Sequence, residues 1–293
     1  DSYHRDMMAL NTIKPSIEPR ATGHIPEQIA LVQAILEEGL AYEVNGSVYF
    51  DVLKYNETEK YGKLSGRVLE ELVSGSRDLD GHSEKRNAVD FALWKNAAPE
   101  HLMKWESPWG IGFPGWHLEC SAMAHAYLGE KFDIHGGGLD LVFPHHENEI
   151  AQSEAAGYGF AQRWLHNAWV TQSGEKMSKS LGNALQVHEI LKSVRGIELR
   201  WYLGGAHYRS MLEYSPEALQ EAATNFKRIE NFLHRATELV GAQPTPRINT
   251  EFTKAMNEDL AVPAALATIS ENLRSGNQAI TDNDIDGISK NAD

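Results

Sequence analysis

The sequence has a single cysteine, Cys120, and no run of about 18 apolar residues. A lone cysteine cannot form an internal disulfide, so a disulfide-stapled scaffold is excluded and a reducing, cytoplasmic location is predicted. The lack of long apolar runs argues against a membrane helix. The sequence does not open with a charged segment followed by an apolar one, so a secretory signal is not expected. With 293 residues, 42% of them hydrophobic, the chain is long enough for two or three globular domains.

Basic residues are also scarce, because 27 Lys and Arg face 41 Asp and Glu and the formal net charge is −14. This balance argues against broad nonspecific binding to nucleic acid, which depends on neutralising phosphates. Residues 171–210 have the opposite charge balance, with six Lys and Arg against three Glu. That segment would permit contact with a polyanion, and a solvated face with scattered charge is an equal alternative.

The first third of the chain contains a helix and a hairpin. Apolar residues at helical spacing predict an amphipathic helix over 26–40, with Pro26 in its first turn. Asn45-Gly46, between two short apolar runs, predicts a tight β-hairpin. Residues 54–104 are polar and rich in Gly, Ser and charge, so we expect an insertion with little regular core of its own.

The pattern then changes from α/β to helical. Residues 105–170 combine a helical stretch, 147–156, with short apolar runs, which is typical of α/β structure. The runs expected to form strands include 132–134 and 165–170. After Ser210 the sequence is almost wholly helical, as over 216–239 and 250–273, and this predicts a separate α-helical domain.

Three residues of zinc-ligand type are Cys120, His145 and Glu149. His146 is an alternative histidine, but His145 pairs best with Glu149, because these two are spaced i, i+4 and would share one helix face. The long separation from Cys120 weakens the signal, and a buried core cysteine beside a polar helix start after Pro144 is the alternative. A zinc hydrolase with Glu147 as base is disfavoured because the His-Glu-x-x-His order is absent.

A polar loop follows, Lys176-Met177-Ser178-Lys179-Ser180, framed by Ser173-Gly174 and Gly182-Asn183. Two lysines on such a loop suit a phosphate ligand. Together with a thiolate-preferring metal site in the same chain, the loop indicates ATP chemistry on a sulfur-containing substrate.

Two further features are compatible with a ligand site. The run His135-Gly136-Gly137-Gly138 predicts a turn that lets a ligand approach the backbone, although it is neither a dinucleotide fingerprint nor a Walker loop. Trp116, at the end of a predicted strand, would form the wall of a small-molecule site if it is exposed, and packing is the alternative.

Several segments occur in one order: Gly115-Trp116-His117-Leu118-Glu119-Cys120, 132–138, 143–149 and 176–183. With Pro19-Arg20-Ala21-Thr22 and Ala206-His207-Tyr208-Arg209-Ser210, they resemble the cysteinyl-tRNA synthetases, class I aminoacyl-tRNA synthetases, over almost the whole chain. The resemblance implies an α/β fold: the second half of a Rossmann-like catalytic domain with an insertion, followed by an α-helical bundle. The implied parts are 1–24 (end of the first catalytic half), 25–104 (helix, hairpin and insertion), 105–170 (second half with the zinc site), 171–215 (phosphate-loop segment) and 216–293 (start of the tRNA-binding bundle).

The same resemblance implies roles for the candidate residues. Cys120, His145 and Glu149 match three zinc ligands of the family, while Trp116 and His135 match positions lining the amino-acid pocket. In the family the zinc takes the substrate thiolate directly. Because a hydroxyl is a poorer zinc ligand, serine is rejected with little need for editing.

For the phosphate loop, the resemblance implies closure over ATP. Lys176 and Lys179 would be catalytic, with Ser178 and Ser180 also contacting ATP and Mg²⁺ accompanying it. Lys179 would stabilise negative charge as the cysteine carboxylate attacks the α-phosphorus. The resulting cysteinyl-adenylate would then esterify the terminal adenosine of tRNA(Cys), and the enzyme is expected to be a monomer.

The family's first nucleotide-binding half carries a His-Ile-Gly-His type motif and a further zinc cysteine, and neither occurs in this sequence. We therefore expect a chain truncated at both ends that is inactive in adenylation by itself. One alternative is the cysteine ligase of mycothiol synthesis, which uses an amino-sugar acceptor; it is disfavoured because 252–269 resembles the synthetase's anticodon-side bundle. A noncatalytic zinc- and tRNA-binding module is disfavoured by the intact lysines of the loop.

Overall fold

The computed structural model describes residues 2–75, 84–177 and 185–293. The chain divides into two compact units, named here by their main content. The sheet unit is Pro15–His166, and the helical unit is Asp1–Lys14 together with Asn167–Asp293. Among the described residues, no helix is both long enough and apolar enough to cross a membrane. The domain limits given above remain a prediction.

The helices are α1 (Ser2–Ala9), α2 (Ile25–Glu37), α3 (Val52–Tyr55), α4 (Leu69–Gly75), α5 (Trp116–Leu128), α6 (Glu147–Ala155), α7 (Val187–Ile190), α8 (Gly196–Gly204), α9 (Pro216–Val240), α10 (Thr250–Asn257), α11 (Val262–Asp282) and α12 (Ile285–Ala292). The strands are β1 (Ala41–Val44), β2 (Ser47–Phe50), β3 (Phe91–Asn96), β4 (Gly112–Pro114), β5 (Phe132–Gly138), β6 (Ala161–Asn167), β7 (Val170–Gln172), β8 (Glu175–Lys176) and β9 (Leu212–Glu213).

The sheet unit contains a four-stranded antiparallel sheet in the order β1-β2-β3-β4. The predicted hairpin is confirmed: Asn45 and Gly46 have φ values of 51° and 76°, as a tight turn between β1 and β2 requires. The predicted amphipathic helix is also confirmed as α2, which ends at Glu37 because Gly39 adopts a left-handed φ of 71°.

One sequence expectation is wrong in the sheet unit. Residues 54–104 were expected to have little regular core, yet β3 lies between β2 and β4 and its Leu93 and Trp94 are fully buried. Consecutive residues of a strand point to opposite faces, so both faces of β3 are covered here. Such a strand has no alternating pattern, and a six-residue run is too short to stand out among polar neighbours.

The core of the sheet unit joins the sheet to α2, α5 and α6. It includes Val32, Ile35, Phe50, Leu118 and Ala151, all nearly inaccessible to solvent. Helix α6 matches the predicted stretch 147–156. The apolar run 165–170 contributes to two strands, β6, which pairs with β5, and β7.

In the helical unit, β7 pairs antiparallel with β8 and parallel with β9, and helices α9 to α12 pack into a bundle around Phe232, Ala236, Ala279 and Ile288. The predicted helical character of 250–273 is confirmed, with a break, because α10 ends at Asn257 and α11 starts at Val262. Asp259 and Leu260, between these helices, have left-handed φ values of 50° and 53°. Pro263 also has no N–H for a continuous helix.

Candidate metal and amino-acid site

The candidate site lies in the sheet unit, where α5 and α6 begin. Helix α5 starts directly after β4, and its N-cap residue is Gly115. A Cβ atom at Gly115 would lie 2.0 Å from the carbonyl oxygen of Ala92, so only glycine lets the helix start this close to β3. Cys120 is spaced i, i+4 from Trp116, which brings both to one face of α5.

Helix α6 follows an irregular helical turn, Val142–His146, in which Phe143 is extended. The turn supplies His145, and the first turn of α6 supplies Glu149. Nε2 of His145 lies 2.8 Å from Oε1 of Glu149, and both residues are buried. The i, i+4 spacing read from the sequence therefore brings this pair into contact.

The structure brings Cys120, His145 and Glu149 together, with one potential ligand atom from each within 4.8 Å of the others. A second group, His135, His146 and Glu149, meets the same criterion and shares the carboxylate. Nε2 of His135 lies 3.0 Å from Oε2 of Glu149. Thiolate, imidazole and carboxylate are the donor types that zinc prefers, so the residues fit that ion.

Glu149 carries the strongest sign that the cluster is built for a cation. Its carboxylate is completely buried, and among the described residues neither oxygen receives a hydrogen bond of acceptable geometry. Burial raises the pKa of Glu149, but His135 and His145 outweigh burial and the pKa is lowered. A buried, ionised and incompletely satisfied carboxylate is costly unless a positive group completes its coordination.

Cys120 is only partly buried, yet its thiol is hard to ionise in the metal-free protein. Burial raises the pKa of Cys120 to about 12, and the carboxylates of Glu149 and Glu119 contribute. The thiolate is the form that ligates metal, so binding of a cation would have to release the thiol proton.

Four residues around the cluster were not identified as site residues from the sequence. Nδ1 of His117 lies 2.9 Å from Nδ1 of His145, and Nδ1 of His146 lies 2.7 Å from Nε2 of His166. The ring of Trp164 lies 4.9 Å from that of His135, centroid to centroid. Burial lowers the pKa of both His117 and His146 to about 4, so both rings are neutral at pH 7.

Two of these residues carry a sequence signal. His117 precedes Cys120 by three residues and His146 precedes Glu149 by three, a spacing that puts two side chains on one helix face. His166 and Trp164 come from β6, and no local spacing connects that strand to α6.

The two predicted pocket residues occupy different environments. Trp116 is 59% exposed, and its ring centroid is 4.4 Å from that of His145. His135 is partly buried on β5. The turn predicted for 135–138 is wrong, because these residues belong to that strand. A Cβ atom at Gly137 would lie 2.8 Å from Cε1 of His146, so this glycine admits a histidine ring rather than shaping a turn.

Of the four phosphate-loop residues predicted to contact ATP, the structure describes Lys176. Lys176 belongs to β8 in the helical unit, and its Nζ is 4.7 Å from the ring centroid of Trp169. Ser178, Lys179 and Ser180 lie outside the described residues.

Comparisons with known proteins show the family of this chain. The family model described as tRNA synthetases class I (C) catalytic domain matches residues 1–224. A cysteine–tRNA ligase of Streptomyces avermitilis is 54% identical over 277 residues, which is 94% of this chain and 58% of the relative. A cysteine–tRNA ligase of Streptomyces coelicolor is 53% identical over 280 residues, 95% of this chain and 45% of the relative. The chain thus spans about half the length of the curated relatives it matches.

A solved structure gives the same architecture. The chain is similar to Mycobacterium tuberculosis methionyl-tRNA synthetase in complex with methionyl-adenylate, with a TM-score of 0.68, 16% identity and coverage of 95% of this chain and 69% of that one. At this identity the likeness shows the fold alone, and it confirms the predicted synthetase-like α/β class. The resemblance noted from the sequence is likewise confirmed, and the chain belongs to the family of class I (C) tRNA synthetase catalytic domains.

Proposed function

We propose that this chain is part of a cysteine–tRNA ligase and carries its cysteine-selecting site. The observation that carries the proposal is the convergence of Cys120, His145 and Glu149 within 4.8 Å around a buried, ionised carboxylate. Curated relatives at about 54% identity bear the name cysteine–tRNA ligase, which favours this reading over the amino-sugar ligase.

Cys120, His145 and Glu149 would hold a zinc ion. When bound, it supplies a Lewis acid that prefers a thiolate to a hydroxyl, and this preference separates cysteine from serine. The exposed indole of Trp116 would cover the substrate side chain, and His135 would orient the amino acid from β5. The contact between the Trp116 and His145 rings supports the first assignment, and the contact between Nε2 of His135 and the Glu149 carboxylate supports the second.

The activation step is assigned to the phosphate loop. Lys176 and Lys179 would stabilise negative charge on ATP, with Ser178 and Ser180 as further contacts and Mg²⁺ bound with the nucleotide. A carboxylate oxygen of cysteine attacks the α-phosphorus, and pyrophosphate leaves. A ribose hydroxyl at the 3′ end of tRNA(Cys) then attacks the cysteinyl carbonyl carbon, forming the ester and releasing AMP. We further propose a cytoplasmic monomer.

Metal analysis and charging assays test this function. The purified chain should bind one zinc ion, and Cys120→Ser should lower zinc affinity by at least 100-fold. The complete gene product should charge tRNA(Cys) with labelled cysteine and ATP, and Lys179→Ala should abolish charging while zinc stays bound. Cysteine-dependent ATP consumption without tRNA charging would overturn the ligase assignment in favour of another acceptor.

A further inference from the structure

A compact turn outside the candidate site, here called the brace loop (residues 61–67), contacts the segment that carries two of the candidate zinc ligands. Within the loop, Gly66 N–H donates to the carbonyl of Gly62 at 2.9 Å. Both glycines have left-handed φ values, 92° and 70°, which fix the turn. The function proposed for this chain does not involve the loop.

The loop is hydrogen-bonded to the first residues of α6. The hydroxyl of Tyr61 donates to Oδ1 of Asn148 at 2.5 Å. The backbone N–H groups of Leu64 and Ser65 donate to Oε2 of Glu147 at 3.2 and 2.8 Å. Glu147 and Asn148 are each 1% exposed, so these bonds are shielded from water. Each lost partner would leave a buried polar group unsatisfied.

The same loop also contacts Phe143, on the other side of His145 in sequence. The ring of Tyr61 meets that of Phe143 edge to face, with centroids 6.3 Å apart. The guanidinium carbon of Arg67 lies 4.5 Å from the Phe143 ring centroid. The brace loop therefore holds residues 143, 147 and 148, which flank His145 and directly precede Glu149.

The start of α6 has no side-chain cap of its own, since the N-cap residue His146 makes no capping hydrogen bond. The backbone N–H of Glu147 donates instead to carbonyls of the turn Val142–His146, so the position of α6 depends on that turn and on what packs against it. From these contacts we infer that the brace loop sets the position of His145 and Glu149, and that Tyr61 and Glu147 are positioning residues for the metal site. This inference rests on the proposed function.

The test is the zinc affinity of the chain, measured by competition with a chromophoric chelator. Removing partners that orient metal ligands costs about 10- to 100-fold in affinity. We expect Tyr61→Phe, which keeps the ring packed on Phe143, to lower zinc affinity about 10-fold. Glu147→Gln, which replaces one acceptor oxygen by a donor, should lower it by a similar factor. The cobalt-substituted variants should show a changed d–d spectrum, because the ligand geometry shifts.

Tyr42→Phe is the matched control. Tyr42 is 4% exposed, like Tyr61, and its hydroxyl donates to Oδ2 of Asp90 at 2.7 Å. This variant should lose a comparable amount of thermal stability and keep wild-type zinc affinity. Suppose that Tyr61→Phe and Glu147→Gln both keep wild-type zinc affinity while Cys120→Ser loses zinc. This result would overturn the positioning role of the brace loop and leave the proposed metal site intact. A wild-type chain that binds no zinc would overturn both.

Discussion

Nδ1 of His117 lies 2.9 Å from Nδ1 of His145, on the side of the imidazole opposite to the nitrogen that faces Glu149. At neutral pH His117 is uncharged, because burial lowers its pKa to about 4. One nitrogen of this pair must then donate and the other accept. For His145 to ligate a metal through Nε2, its Nδ1 must carry the proton and donate to His117.

This relationship predicts that His117 controls metal affinity through the tautomer of His145. His117→Ala should weaken zinc binding by about 10- to 100-fold, as measured by chelator competition. His117→Asn, whose side-chain oxygen can accept a hydrogen bond, should restore part of the affinity. His125→Asn is the control on the same helix, since that ring stacks on Tyr158. Equal affinities for wild type and His117→Ala would contradict the prediction.

The candidate ligands illustrate how far sequence reasoning reaches. The contact between His145 and Glu149 follows from helical spacing alone. The approach of Cys120 does not, because it depends on α5 starting against β3, which only Gly115 permits. His146 and His166 are 20 residues apart and meet through β6, so no local periodicity connects them.

The fold shows the same division. The hairpin at Asn45-Gly46 follows from turn chemistry, whereas β3 was missed because burial on both faces removes the alternation that identifies a strand. The break between α10 and α11 is held by tertiary contacts of Asp259, which a helical pattern does not contain.

The brace loop predicts different costs for two glycine substitutions. At Gly62 an added Cβ would lie 2.1 Å from the carbonyl oxygen of Arg67, whereas at Gly66 it would meet nothing within 4 Å. Gly66→Ala should therefore cost about 1 kcal/mol for its left-handed φ. Gly62→Ala should cost about 3 kcal/mol, because a backbone atom must also move. Urea unfolding measures both values, and equal losses would show that the close approach is unimportant.

A second glycine pair tests packing in the helical unit. An added Cβ at Gly276 in α11 would lie 2.3 Å from Cζ of Phe232, a core residue of the bundle. Gly276→Ala should lower the free energy of unfolding by about 1–3 kcal/mol through overpacking. Gly204→Ala, at the end of α8 with nothing within 4 Å, should be neutral or slightly stabilising. Thermal unfolding of both variants separates helix propensity from packing, and a stabilised Gly276→Ala would refute the packing argument.

The turn between α10 and α11 predicts a pH dependence of stability in the helical unit. Nε of Arg209 donates a hydrogen bond to Oδ2 of Asp259 at 2.7 Å, and the hydroxyl of Tyr208 donates to Oδ1 at 2.6 Å. These hydrogen bonds lower the pKa of Asp259. A carboxyl whose pKa is lower in the folded state binds protons more readily when unfolded. Its contribution to stability is therefore complete above the unfolded pKa of about 3.9 and is lost as the pH falls through the folded value.

Asp259→Asn should accordingly lower the unfolding temperature at pH 7, and this deficit should shrink as the pH falls below the unfolded pKa of about 3.9 toward the lowered pKa of the folded carboxyl. Asp282→Asn is the control, because that exposed carboxylate accepts hydrogen bonds from the neutral Gln278 side chain. The deficit in Asp259→Asn should itself be small, since charges exposed to solvent are screened. Asp259 and Leu260 both hold left-handed φ values, and the Arg209 and Tyr208 contacts help to keep the turn in that conformation. A deficit in Asp259→Asn that does not shrink at all as the pH falls from 7 to about 2 would assign its effect to geometry rather than charge.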